Sequence, residues 1–157
     1  MKIKLLTIGK TDSRPLKQLI DEYCKRLGFY IPFSMDIIPD IKNTKNLTTK
    51  QQKIAEGKEL LKKIEKSDAV ILLDENGKLY NSIQFSAFLQ KKMNSGLKKI
   101  VFVIGGPYGF SDDVYNRCNE KISLSPMTFS HQMVRLFFTE QLYRSFTILR
   151  NEPYHHH

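Results

Sequence analysis

Residues 123–146 read SLSPMTFSHQMVRLFFTEQLYRSF, and the fold turns on them. The stretch opens inside a short strand, Ile122 to Leu124, which breaks at Ser125-Pro126 because proline brings no backbone N–H to a central ladder. Regular structure resumes at Ser130, whose hydroxyl can cap a helix that the spacing predicts as far as Leu149. Met133, Val134, Leu136, Phe137, Phe138, Leu142, Phe146 and Leu149 spread over more than one stripe of that helix. A surface helix needs one stripe only. This helix is therefore expected to be covered on two sides, by its own core and by something else. Among its apolar residues sit His131, Arg135, Glu140 and Arg144.

Upstream, strands and helices alternate. KIKLLTIG at 2–9 reads as a strand ending at Gly9, and Pro15 suits a first helical turn. Leu16, Leu19, Ile20, Tyr23 and Leu27 follow at helical spacing, with Gly28 as the stop. Phe33 to Ile38 is a second strand, and the polar residues 41–49 read as a surface loop. Lys50 to Lys66 forms a lysine-rich amphipathic helix with Ile54, Leu60, Leu61 and Ile64 inward. DAVILLD at 68–74 is a near-continuous apolar strand of the kind buried on both faces. Asn76-Gly77 reads as a turn, and Ser82 as the cap of a helix that stops near Gly96. KIVFVI at 99–104 is the most hydrophobic strand and runs into Gly105-Gly106-Pro107-Tyr108-Gly109-Phe110; a short helix follows from Ser111. This order predicts one α/β domain over 1–157, with a mainly parallel sheet of about five strands and helices on both faces.

The 25 lysines and arginines outweigh 16 acidic residues, giving a formal charge of +9 over the 157 residues. Such an excess favours a polyanionic partner, most simply nucleic acid. No apolar run is long enough to span a membrane, and the apolar start is too short for a signal sequence. The expected location is the cytoplasm. Cys24 and Cys118 have no metal-ligand spacing and read as reduced thiols, and no His/Cys cluster suits zinc.

Ligands of open α/β sheets bind beyond the carboxyl ends of the strands. Three such ends stand out: Leu72-Leu73-Asp74, Gly105-Gly106-Pro107, and Leu124 to Ser130. The glycine pair lets backbone approach a ligand, but it matches neither a dinucleotide fingerprint nor a phosphate loop, and an ordinary turn explains it as well. No Gly-x-Ser-x-Gly elbow is present. His131 and Arg135, four apart, share one helix face. An arginine between Val134 and Leu136 needs a partner, which a phosphate or carboxylate would supply.

IGGPYGF at 104–110, SLSPMTFSHQMVRLFFTEQLYRSF at 123–146 and Pro153-Tyr154-His155 together resemble the ribosomal large subunit methyltransferase H family, small SPOUT-class enzymes. The resemblance covers the whole chain and takes in Glu22-Tyr23, Arg26-Leu27, Glu56-Gly57 and Leu72-Leu73-Asp74 with Gly77-Lys78. It departs at Ser130, where the family often carries proline before the histidine.

The resemblance implies a SPOUT fold with a C-terminal trefoil knot, a topology otherwise strongly disfavoured. It also implies a homodimer, which fits the two-sided helix, and S-adenosylmethionine as methyl donor. The implied acceptor is N3 of a pseudouridine in large-subunit rRNA, on the assembled ribosome. Carried over by position, the donor is held by Leu73, by Gly105 and Gly106, and by Ser125, Pro126, Met127, Thr128, Phe129 and Ser130. Arg135 is assigned to stabilising the developing imidate or clamping a phosphate, and His131 to acting as or orienting the base. Tyr154 and His155 are expected to close over the partner subunit's site. Lys10, Arg14 and the lysines of 45–63 are weaker candidates for rRNA phosphates. The ending His155-His156-His157 suits either a native tail or a trimmed tag, so His156 and His157 stay open. Two other readings remain at this stage: a non-catalytic ribosome- or RNA-binding module, and a SPOUT enzyme acting on tRNA.

Overall fold

The run KIVFVI becomes the middle strand of a five-stranded sheet in a computed structural model that describes residues 1–156. His157, the last residue of the predicted domain and of the open tail, lies outside the described residues. The strands are β1 (Lys2–Ile8), β2 (Phe33–Ile38), β3 (Ala69–Leu79), β4 (Lys99–Ile104) and β5 (Glu120–Ser123), in the order β2-β1-β4-β3-β5. Every neighbouring pair is parallel. The helices are α1 (Arg14–Leu27), α2 (Thr49–Lys62), α3 (Ser82–Asn94), α4 (Asp112–Arg117) and α5 (His131–Leu149).

Alternation along the strands divides the core in two. Ile100, Phe102 and Ile104 of β4 join Ile3, Leu5 and Ile71 against α1, α3 and α5. Val101 and Val103 point the other way, with Leu6, Val70 and Leu72, against Leu60 of α2 and Val114 of α4. Burial on both faces is why these strands read as continuous apolar runs. The α5 face is stitched by aromatic rings: Phe102 and Phe138, both fully buried, have centroids 4.7 Å apart. Such a pair contributes ~0.5–1.5 kcal/mol beyond its area burial.

Several expected boundaries move. Asn76-Gly77 does not close a turn: β3 continues through it to Leu79, with a bulge between Leu73 and Lys78 that lets Lys78 and Leu79 pair with Ile122 and Ser123. α3 is capped by Asn81 rather than Ser82, because Asn81 and Gln84 form a reciprocal capping box. α2 runs from Thr49 to Lys62 behind a second box, Thr48 with Gln51, and its Ile54 is exposed instead of inward. The loop 41–49 contains a 3-10 turn at Thr44–Asn46. β5 starts two residues earlier than expected, at Glu120, and ends at Ser123. Ser130 caps α5 as expected, its hydroxyl accepting from the Met133 N–H at 3.3 Å.

Candidate functional site

The carboxyl ends of β3, β4 and β5 open into one cavity of about 550 Å³, within the usual range for small-molecule sites. Leu73, Gly105, Gly106, Ser125, Met127, Thr128, Phe129, Ser130 and His131 all line it; Pro126, Arg135, Tyr154 and His155 do not. The 123–130 segment is shaped by its own serines. Ser123 Oγ donates to the Ser125 carbonyl at 2.9 Å, and Ser125 Oγ accepts from the Met127 N–H at 2.9 Å. Ile104, Ile122, Leu124 and Val134 add apolar residues to the lining.

The glycine pair has an internal cause. A Cβ on Gly105 would stand 3.1 Å from Phe110 Cε1, and one on Gly106 would stand 2.4 Å from Glu56 Oε2. The loop closes on itself through the Gly109 N–H, which donates to the Gly106 carbonyl at 3.1 Å, with Gly109 at φ +81°. Next to Glu56, Gly57 packs on Ser111 and Val114. α2 thus backs Gly106 and Ser111 through two consecutive residues. Glu56 is 3% exposed; its Oε1 accepts from Gln52 Nε2 at 2.9 Å, and its Oε2 has no partner among the described residues. Burial pushes its pKa up, against the Gln52 hydrogen bond, and Asp40 adds to the rise.

Across the cavity the β3 bulge places Asp74, Glu75 and Asn76 on the rim. Asp74 Oδ1 accepts from the Asn76 N–H at 2.8 Å, and Oδ2 accepts from the Tyr115 hydroxyl. Burial first, then this bond, raises the Tyr115 pKa. This carboxylate rim suits a cationic ligand. Its residues beyond Asp74 were missed because the bulge that presents them depends on pairing with β5.

The start of α5 forms the fourth side. His131 faces the cavity, and burial, then the nearby Arg135 charge, lowers its pKa, with Asp40 and Asp12 opposing. Its neighbour Gln132 exchanges two hydrogen bonds with Asp12, accepting from the backbone N–H at 3.0 Å and donating to Oδ2 at 2.9 Å. Arg135 is fully buried one turn further on. Its guanidinium donates to the Ile8 carbonyl at 2.6 Å and to Thr11 Oγ1 at 3.0 Å, and its Nε has no partner among the described residues. Arg135 thus ties α5 to the end of β1, one layer behind the cavity wall.

The tail lies elsewhere on its own chain. The Tyr154 hydroxyl donates to Glu140 Oε1 at 3.0 Å and shares a hydrogen bond with Tyr23 at 3.1 Å. Arg144 stacks on the Tyr154 ring and approaches His155 Nδ1 at 3.4 Å. Within one chain, then, His131 and the donor-site candidates other than Pro126 come together, whereas Tyr154 and His155 do not join them. No group of His, Cys, Asp or Glu among the described residues could hold a metal ion.

A family model described as "Predicted SPOUT methyltransferase" matches residues 1–155. A protein named Ribosomal RNA large subunit methyltransferase H, from Flavobacterium psychrophilum, is 68% identical, with 99% of both chains covered. Proteins of the same name from Flavobacterium johnsoniae and Christiangramia forsetii are 66% and 64% identical, again over 99% of both chains.

Proposed function

Because the chain belongs to the SPOUT methyltransferase family, we propose that it methylates N3 of a pseudouridine in large-subunit rRNA. The donor is S-adenosylmethionine, and the substrate is the assembled ribosome. What carries the reading is full-length likeness to proteins named for rRNA methylation, in a chain whose sheet rim holds a cavity of about 550 Å³. The cavity suits this donor: apolar Leu73, Leu124 and Val134 can sandwich an adenine, and backbone at 125–130 can read its edge. Asp74 and Glu75 offer negative charge to a cation.

When bound, S-adenosylmethionine supplies an electrophilic methyl group on a sulfonium. The protein must then hold the acceptor ring in line and favour loss of its imide proton. His131 is the group at the cavity wall whose imidazole stays neutral at neutral pH and can accept a proton. Arg135 places a fixed positive charge within reach of His131, which favours negative charge developing on the acceptor. Tyr154 and His155 lie outside the cavity of their own chain, and the reading assigns them to a partner subunit's site in a homodimer. Supporting it, Met133 and Phe137 expose large apolar side chains on α5, and the exposed Phe129 ring packs 4.8 Å from Phe137. The threaded C terminus expected of the family belongs to the same proposal, as does a cytoplasmic location with the ribosome. Among the described residues, no helix is long and apolar enough to cross a membrane.

The test is mass mapping of rRNA from a strain lacking the gene, before and after complementation. Loss of one methyl on a large-subunit pseudouridine is expected. An unchanged rRNA map with a methyl missing from tRNA would move the acceptor. Absence of S-adenosylmethionine binding in calorimetry would favour the non-catalytic module.

A further inference from the structure

The chain between Asp40 and Glu56 is pinned at both ends beside the cavity. Asp40 lies against Gly9, where a Cβ would stand 2.5 Å from its Oδ1, and is near enough to His131 to act on its charge. Glu56 lies against Gly106. Between these anchors, residues 41–55 read IKNTKNLTTKQQKIA: four lysines, no carboxylate, and Asn, Thr or Gln at seven of the remaining positions.

This overhang has a defined shape. Asn43 takes a left-handed conformation at φ 59°, Thr44–Asn46 form a 3-10 turn closed by the Leu47 N–H on the Thr44 carbonyl at 3.0 Å, and the Thr48–Gln51 box starts α2. Lys42, Lys45 and Lys50 are exposed and Lys53 is half-buried. None of the ion pairs among the described residues involves them, nor the exposed Lys10 on the neighbouring loop after β1. The far end of α2 differs. There Lys62 pairs with Glu59, and Glu65 and Asp68 compensate Lys99. From Glu56 to Asp68 the four lysines 58, 62, 63 and 66 are matched by four carboxylates, Glu56, Glu59, Glu65 and Asp68, so net positive charge is concentrated in 41–55, between the two anchors.

We propose that Lys42, Lys45, Lys50 and Lys53, with Lys10, form the surface that grips the RNA phosphate backbone and steers the acceptor base to the His131–Gly106 side of the cavity. The inference rests on the rRNA reading above and narrows it, leaving Lys63 and Lys66 outside the contact. Phosphate contacts of this kind position a folded RNA without reading its sequence. The interleaved amides and hydroxyls add neutral hydrogen bonds to the same backbone.

The experiment compares the double variant K45E/K50E with K63E/K66E, which changes net charge equally at the far end of α2. Co-sedimentation with purified large ribosomal subunits reads binding, methyl transfer reads KM, and calorimetry reads S-adenosylmethionine affinity. K45E/K50E is expected to weaken subunit binding and raise KM by about tenfold or more, and to reduce the salt slope of log affinity by roughly 1 to 2. Donor affinity is expected to stay unchanged, and K63E/K66E to behave as wild type. Equal losses in both variants, or normal subunit binding by K45E/K50E, would overturn the proposal. A wild-type protein that binds subunits through these lysines yet transfers no methyl would sink the enzymatic reading alone.

Discussion

Glu56 and Gly106 meet so closely that one added carbon at 106 would stand 2.4 Å from Glu56 Oε2 and 2.8 Å from Cδ. A side chain fifty positions earlier crowds this position before any ligand arrives, and its burial leaves its carboxyl little room to swing away. Gly106→Ala must push a buried carboxyl aside and distort the cavity wall. Calorimetry is expected to show donor affinity weakened by about tenfold, or ~1.4 kcal/mol. Gly106→Arg abolishes binding. In a Glu56→Ala background the Gly106→Ala penalty shrinks, since the obstacle is gone. An equal penalty in both backgrounds would assign the glycine requirement to the ligand instead.

Glu56 also sets a pH dependence of stability. Burial raises its folded pKa above the ordinary carboxylate value. Such a group costs nothing below its unfolded pKa and destabilises increasingly as pH rises through the folded one. Glu56→Gln keeps the shape and removes the ionisation. The variant should melt higher than wild type at pH 8, and the gap should close toward pH 4. A gap that is constant across this range would show that Glu56 ionises normally in the fold.

For His131 the sign is opposite. Burial and Arg135 hold its pKa below the ordinary value, so the neutral imidazole persists to lower pH. If it accepts the acceptor's proton, the single-turnover rate falls on the acid side with a midpoint below about 6.5. His131→Gln should remove that limb and slow transfer by about 10²-fold or more. An unaltered acid limb in the variant would assign the proton to another group.

The legible parts of this chain were those decided locally. KIVFVI at 99–104 is apolar at almost every position because both its faces are buried, and that pattern sufficed to mark the central strand. Ser130 caps α5 through its own hydroxyl. The illegible parts were decided at a distance. Asn76-Gly77 carries a turn signature, yet β5 returns to pair beyond it and the strand continues. Arg135 finds an acceptor on Ile8, 127 residues away, a contact that nothing near it in the sequence announces. Glu56 entered only through the family resemblance, in the pair Glu56-Gly57, and its contact with Gly106 is made by the fold.

Gly77 offers a harsher test of the bulge. A Cβ there would lie 2.5 Å from both the N and C atoms of Ile122, and 2.7 Å from its Cα. Backbone cannot rotate away as a side chain can. Gly77→Ala is expected to lose ~2–4 kcal/mol in urea unfolding, because β3 and β5 must part to relieve the clash. Because Leu73 and Ile122 both line the cavity, donor affinity should fall as well. Wild-type unfolding by the variant would mean that β3 and β5 separate easily at this point.

Arg135 poses the sharpest choice between roles. A fully buried guanidinium with no carboxylate in contact is expensive to keep, by several kcal/mol after relaxation. Its two bonds tie α5 to the end of β1, and its charge reaches His131. Arg135→Ala, checked first for folding by circular dichroism, is expected to keep donor affinity within about threefold. Methyl transfer should fall about 10²-fold or more, the scale of losing an electrostatic stabiliser. Arg135→Lys then separates the roles. Lysine retains the charge but cannot span both the Ile8 carbonyl and the Thr11 hydroxyl as a planar fork does. Recovery of most of the rate with lysine would identify the charge as the operative feature. A lysine variant as slow as alanine would identify the tie, and Thr11→Ala should then slow transfer too, although it leaves the charge in place. Normal turnover by Arg135→Ala would remove the residue from catalysis altogether.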